Sequence, residues 1–197
     1  MIVVVEYGAG NTASVANALS QLGVEYKISD NEMLVGKADK IIFPGVGEAS
    51  SAIRQLHLNN LFTMLRVVKK PLLGICLGMQ LLAEHSDEGD VACLGVVPTT
   101  ISKFPEAKGF PVPHMGWNSV KVNNDSPLFE GIKQDEFFYF AHSYYMPINE
   151  FTIAKADYGI PITAAIRNRC HYGVQFHPEK SGEAGLRILK NFVDLCS

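Results

Sequence analysis

Apolar and polar positions along this chain follow two rhythms. In the first half, short apolar runs at Ile2 to Glu6, Glu25 to Ser29, Lys40 to Phe43 and Pro71 to Ile75 alternate with amphipathic stretches such as Thr12 to Leu22. Strands alternating with helices predict βαβ units and a parallel sheet, with a further helix starting near Glu48. From Gly95 to Ile166 the texture changes. Runs such as TTISKF, WNSVKV, FFYFAH and FTIAKA are broken by Pro, Gly and Asn, which predicts antiparallel additions. Leu186, Leu189, Phe192 and Val193 then share one face of a closing helix over Ala184 to Cys196. The expected fold is α/β: a mostly parallel central sheet flanked by helices, with antiparallel strands added and a ligand site outside the carboxyl edge of the sheet.

Composition narrows the function classes. With 197 residues, 47 % of them apolar, the chain can bury a full α/β core but has little room for a second catalytic domain. No repeat or linker divides it, so residues 1–197 read as one domain. A net charge of −3 with scattered basic residues offers no stripe for nucleic acid, and no apolar run reaches the roughly 18 residues needed to cross a membrane. The start MIVVVEYG reads as a first strand and not a signal peptide, so a cytoplasmic protein is expected. Cys76, Cys93, Cys170 and Cys196 form no Cys-x-x-Cys pair, which points away from zinc and from a disulfide framework. No metal or cofactor is expected.

Candidate chemistry starts at PLLGICLGMQ, Pro71 to Gln80, where Cys76 sits between an apolar strand and a helix predicted over Leu77 to Glu84. Gly74 and Gly78 flank it at minus two and plus two. This is the nucleophile-elbow spacing with sulfur in place of oxygen, and a β-carbon at either flank would meet the neighbouring strand or helix. The amides of the following helix favour thiolate over thiol. Downstream, GVQFHPEKSG places His177 and Glu179 around Pro178. The proline keeps His177 extended, so the two side chains project to one side, imidazole as base and carboxylate as its orienter. An oxyanion formed by attack on a carbonyl needs preplaced donors. The PGVG loop at Pro44 to Gly47 offers the Val46 amide, to be joined by the Leu77 amide beside the sulfur. Gln80, one helical turn after Cys76, can reach a ligand at the sulfur.

Taken in order, these segments resemble the class I glutamine amidotransferases, with a Cys-His-Glu triad and a flavodoxin-like fold. YGAGN at Tyr7 to Asn11, PGVG, PHMGWN at Pro113 to Asn118, HSYY at His142 to Tyr145 and GVQFHPEKSG are most similar to one branch, the glutaminase subunits of imidazole glycerol phosphate synthase in histidine biosynthesis. Glu6 stands where that branch usually has aspartate. The resemblance implies hydrolysis of L-glutamine to glutamate and ammonia by Cys76, His177 and Glu179. It assigns Gln80, Glu88, Gly47 and the backbone around Ser143 and Tyr144 to glutamine, and it implies a Gly45–Val46 peptide that reorients to complete the oxyanion hole. It also implies a heterodimer with a (β/α)8 cyclase subunit that uses the ammonia, met by Asn11, Met115, Trp117 and Lys180. Trp117 is the only tryptophan, a residue more often found in a core. His142, taken without the family, reads as a core histidine satisfied by backbone.

Three other readings compete. GAGNTA at Gly8 to Ala13 fits G-x-G-x-x-A after a strand, with Asp30 about twenty residues on, as in a dinucleotide-binding turn; that reading leaves Cys76, His177 and Glu179 without purpose. A non-catalytic subunit would not need an intact triad. A paralogue passing ammonia to a different acceptor, such as a surface sugar, shares every motif of the glutaminase half.

Overall fold

The computed structural model describes residues 1–106 and 108–197. Strands β1 (Ile2–Val5), β2 (Tyr26–Ser29), β3 (Lys40–Gly45) and β4 (Leu72–Cys76) alternate with helices α1 (Thr12–Gln21), α2 (Glu32–Lys37), α3 (Ala49–Leu58) and α4 (Leu61–Val67). After a short helix α5 (Leu77–Gln80) come β5 (Ala83–Ser86), β6 (Val91–Ala92), β7 (Val97–Lys103), β8 (His114–Val122), β9 (Glu136–His142), β10 (Tyr144–Tyr145), β11 (Thr152–Asp157), β12 (Pro161–Asn168), β13 (His171–Val174) and finally α6 (Gly182–Leu195). The main sheet is nine-stranded in the order β2-β1-β3-β4-β13-β12-β11-β8-β9. β2, β1, β3, β4 and β13 run parallel, and the rest join antiparallel, as the change of texture after Gly95 predicts. A smaller sheet, β10-β7-β5-β6, flanks it.

The inner parallel strands β1, β3 and β4 are apolar on both faces because helices cover both, whereas the edge strand β2 is partly exposed. Val4, Ile42, Leu73 and Ile75 face α1 and α6, where they meet Val15, Leu19, Ile188 and Phe192. Val3, Val5, Ile41, Phe43 and Leu72 face the other way, against Ile53, Leu56, Leu61 and Leu65 of α3 and α4. Alternate residues of one strand thus belong to different cores, as the period of two requires.

The helix expected over Leu77 to Glu84 is cut short. It ends at Gln80, and the chain turns into β5, which pairs parallel with β7 and antiparallel with β6. Leu77, Met79, Leu81, Leu82 and Ala83 are all buried, so the run carries no amphipathic period that could tell a buried helix from a buried strand. The short helices α2 and α4, of six and seven residues, are too brief for an apolar period to mark them in the sequence.

β4 and α5 meet β3 closely. A β-carbon on Gly78 would land on the Phe43 carbonyl oxygen, and one on Gly74 would stand 2.7 Å from the Gly78 carbonyl carbon. We expect Gly78→Ala to prevent folding or lower the thermal midpoint sharply. Gly36→Ala, within α2 and with nothing within 4 Å of the added carbon, is expected to stabilise by about 0.4–1 kcal/mol. Denaturant melts of both variants check the pair.

Candidate active site

β1 has β2 on one side and β3 on the other, so the crevice at the carboxyl ends of β1 and β3 lies where the strand order reverses. Cys76 ends β4 beside it. The residue is 6 % exposed and adopts φ +53°, ψ −110°, a conformation that lifts its side chain off the strand end. The sequence-predicted elbow is therefore present, with Leu77 as the first residue of α5 and its N–H outside the helical ladder.

Registry brings His177 to the sulfur. β13 pairs with β4 through Gly173↔Gly74 and Val174↔Ile75, so the residues after Val174 run alongside Cys76. His177 is extended (φ −97°, ψ 95°), 3 % exposed, and its Nδ1 lies 2.8 Å from Glu179 Oε1. That bond leaves Nε2 for Cys76. The turn Pro178–Lys180 is clamped to β9: His177 N–H donates to the Tyr139 carbonyl at 2.8 Å, and the Ser181 hydroxyl donates to the His177 carbonyl while accepting from Tyr139 N–H. Burial alone pulls the His177 ring down, but hydrogen bonds and charge from Cys76 and Glu179 outweigh it and push the ring up to about 10. The imidazolium is thus held between a carboxylate and a sulfur.

A cleft of about 230 Å³ opens over the sulfur. Cys76, Gln80 and Glu88 line it together with Val46 and Gly47 on one side and Ser143 and Tyr144 on the other. Every residue that the sequence assigned to glutamine is thus brought together. Glu88 is half-buried, its carboxyl pushed up by that burial, and its Oε2 accepts the Ala49 N–H at the start of α3 at 2.9 Å. One carboxylate oxygen holds a helix end, and the other remains for the cleft.

One expectation needs correction. The Val46 amide, proposed as an oxyanion donor, points the other way: it donates to the Ala9 carbonyl at 2.7 Å. The acceptor is in the GAGN loop, a segment whose place beside β3 spacing along the chain does not reveal. The same bond gives the glycine-rich loop after β1 a structural task. Asn11 at its end caps α1, accepting from Ser14 N–H at 3.4 Å.

The outward face of β8 and β9 carries Met115 and Trp117, 64 % and 57 % exposed, opposite Ala141 and Tyr139. Trp117 is therefore a surface residue, against the usual tendency of tryptophan. The Tyr139 ring meets it edge-on at 6.2 Å, and Lys180 Nζ stands 5.9 Å from that ring's centroid. Met115 also lines the cleft.

Residues 3–196 match the family model described as glutamine amidotransferase class-I. The chain belongs to that family. Among similar amidotransferases, the imidazole glycerol phosphate synthase subunit HisH of Bacteroides fragilis is 48 % identical over 195 residues, 98 % of this chain and 99 % of the relative. The subunit of that name from Vibrio cholerae is 45 % identical over 200 residues, 98 % of each chain. In fold, the chain resembles a putative GMP synthase protein from Thermoplasma acidophilum, with TM-score 0.76 at 21 % identity over 99 % of this chain and 92 % of that one. Among the described residues, no group of His, Cys, Asp or Glu is arranged to hold a metal, and no helix is long and apolar enough to cross a membrane.

Residues passed over in the sequence also enter this amidotransferase site. Gln175 is fully buried and its Nε2 lies 3.7 Å from Cys76 Sγ. His114 lies 3.0 Å from His142, and burial pulls their rings down to about 4 and about 3. His142 is the core histidine bonded to backbone that its sequence context suggests, since its Nδ1 meets the Tyr144 carbonyl at 2.7 Å. The only sequence signal for Gln175 and His114 was their place inside motifs read for other residues.

These shifts fix a pH dependence. His177 is raised above its usual 6.5, so its contribution to stability is complete below that pH and is lost as pH rises through about 10. His114, His142 and His171 are lowered, so theirs is complete above 6.5 and is lost as pH falls toward the folded values. The thermal midpoint is expected to fall between pH 6.5 and about pH 5, above the range in which ordinary carboxylates titrate. A flat profile across that interval would contradict the neutral buried rings.

Proposed function

We propose that this chain is the glutaminase subunit of an imidazole glycerol phosphate synthase, hydrolysing L-glutamine and handing the ammonia to a cyclase partner. The observation that carries the reading is the Cys76–His177–Glu179 arrangement opening into a cleft the size of an amino acid. The names of the curated relatives support the histidine pathway over a sugar acceptor. The whole chain, 1–197, is read as one glutaminase domain, in a cytoplasmic setting that keeps its thiols reduced.

In this mechanism the Cys76 thiolate attacks the side-chain amide carbon of glutamine. The developing oxyanion meets the Leu77 N–H. As the tetrahedral intermediate collapses, His177 gives its proton to the amide nitrogen, the carbon–nitrogen bond breaks and ammonia leaves. Water, deprotonated by His177, then hydrolyses the γ-glutamyl thioester to glutamate and frees the sulfur. Glu179 holds the ring in place and steadies its positive charge throughout. Glu88 and the backbone at Ser143 and Tyr144 match the α-amino and α-carboxylate ends of the substrate.

Ammonia set free in neutral water is mostly protonated and no longer a nucleophile, so a sheltered acceptor is required. We assign that acceptor to a partner subunit. Met115 lines the cleft and Trp117 stands two residues further along the same strand, and both are exposed aromatic or sulfur-bearing groups of the kind that anchor interfaces. With Lys180 and Asn11 they form the face we assign to a (β/α)8 cyclase subunit.

The bond from Val46 to Ala9 leaves the oxyanion hole with one donor. Glycines on both sides of Val46 let the Gly45–Val46 peptide turn, and the partner is assigned that trigger. Adding the cyclase and its nucleotide substrate is expected to raise glutamate release by about a hundredfold to a thousandfold, the worth of one such donor; equal rates with and without partner would refute the half-built hole. Cys76→Ala should abolish glutamate release in the complex while ammonium salts still feed the cyclase. Residual glutamine turnover by that variant would remove Cys76 as nucleophile. Trp117→Ala is expected to weaken partner binding by about tenfold or more, read by titration calorimetry.

A further inference from the structure

One unbroken chain of hydrogen bonds runs from the nucleophile to the strand that carries Trp117. Gln175 Nε2 donates toward Cys76 Sγ at 3.7 Å, and Gln175 Oε1 accepts from Gln80 Nε2 at 2.9 Å. Gln80 Nε2 also donates to the Tyr144 carbonyl at 2.8 Å. That carbonyl accepts from His142 Nδ1 at 2.7 Å, His142 Nε2 lies 3.0 Å from His114 Nδ1, and His114 Nε2 lies 3.4 Å from Asn118 Nδ2. Asn118 Nδ2 is anchored in turn on the Asp157 carbonyl, and its Oδ1 accepts from Ser119 N–H.

The two ends dictate every proton in between. A carbonyl oxygen only accepts, so His142 carries its proton on Nδ1. In a neutral ring its Nε2 must then accept, so His114 donates from Nδ1. His114 Nε2 accepts from the Asn118 amide, whose orientation the Ser119 bond fixes independently. Protonating either ring a second time would set donor against donor at the His114–His142 contact, and the burial that keeps both rings neutral guards against this. Phe140 and Tyr158 stack on the two sides of His114, with centroids at 4.8 Å and 3.8 Å.

We propose that Gln175, His142 and His114 are positioning residues for glutamine hydrolysis: Gln80, held by Gln175, and His142, held by His114, brace the Tyr144 carbonyl from both sides and keep the Ser143–Tyr144 wall of the cleft at a fixed distance from the Cys76 sulfur. The Ser143 carbonyl is likewise taken, by Phe104 N–H at 3.1 Å. With both carbonyls occupied, N–H is the backbone polarity the segment has left to offer, the one that an α-carboxylate requires. Gln175 joins this wall to the sulfur, so substrate binding and nucleophile placement share one support. The inference rests on the glutaminase reading for its kinetic consequence and on geometry alone for its tautomers.

The test has two arms. In ¹⁵N-histidine NMR spectra of the chain at neutral pH, His114 and His142 are both expected as the Nδ1–H tautomer, the less common form in water. An Nε2–H tautomer or a cation at either ring would overturn the network whatever the chain catalyses. In the complex with the cyclase, His114→Phe keeps the stacked ring but leaves His142 Nε2 without its donor; KM for glutamine is expected to rise about tenfold, with kcat changing by less than about threefold. His114→Asn, which can place an amide near the lost Nδ1–H, should recover most of that loss. Unchanged KM in His114→Phe, or a loss confined to kcat, would overturn the positioning role. If the unmodified complex fails to hydrolyse glutamine while both tautomers are as expected, the glutaminase reading fails and the network stands.

Discussion

Between the Phe43 carbonyl at the end of β3 and the α-carbon of Gly78 there is no space for a side chain, and the site is arranged around that approach. Because α5 sits so close to β3, the chain leaving β4 must turn within a single residue. Cys76 makes the turn with positive φ, a backbone cost of the order of 1–3 kcal/mol that the packed strands on either side sustain. The same turn sets the sulfur at the mouth of the crevice with the Leu77 N–H next to it. A looser junction would relieve the strain and lose the alignment of the sulfur with that N–H.

Three buried histidines are tuned in opposite directions by what surrounds them. His177 faces a carboxylate and a sulfur, which outweigh its burial and hold it cationic. His114 and His142 face each other, aromatic rings and a carbonyl, so burial prevails and both stay neutral. One imidazole is thereby suited to moving protons and two to bearing load, a division set by environment and not by residue type. Because β8 and β9 pair His114 directly with His142, the same ladder that braces the cleft wall carries Met115 and Trp117 on its opposite face. A partner seated on that face would press on the ladder behind the cleft wall.

The Cys76 elbow and the His177-x-Glu179 pair were legible in the sequence because each depends on local backbone geometry: glycine spacing at a tight turn, and a proline that holds its neighbour extended. The parallel half of the sheet was legible for the same kind of reason, since strands covered on both faces are apolar throughout. The end of the helix after Cys76 was not. A segment buried on all sides has no polar face, and only pairing of β5 with β7 turned it into a strand.

The residue types and their order along the chain determined what chemistry this protein can carry: a thiol, an imidazole and a carboxylate at the ends of neighbouring strands. Tertiary structure alone decided that Val46 donates to Ala9 and not to the cleft, that Trp117 faces outward, and that Gln175 and His114 belong to the site. Each of these depends on which acceptor or neighbour a group meets from a distant part of the chain. Spacing constrains a residue's own backbone, whereas hydrogen-bond direction and exposure exist only once separate strands are in register.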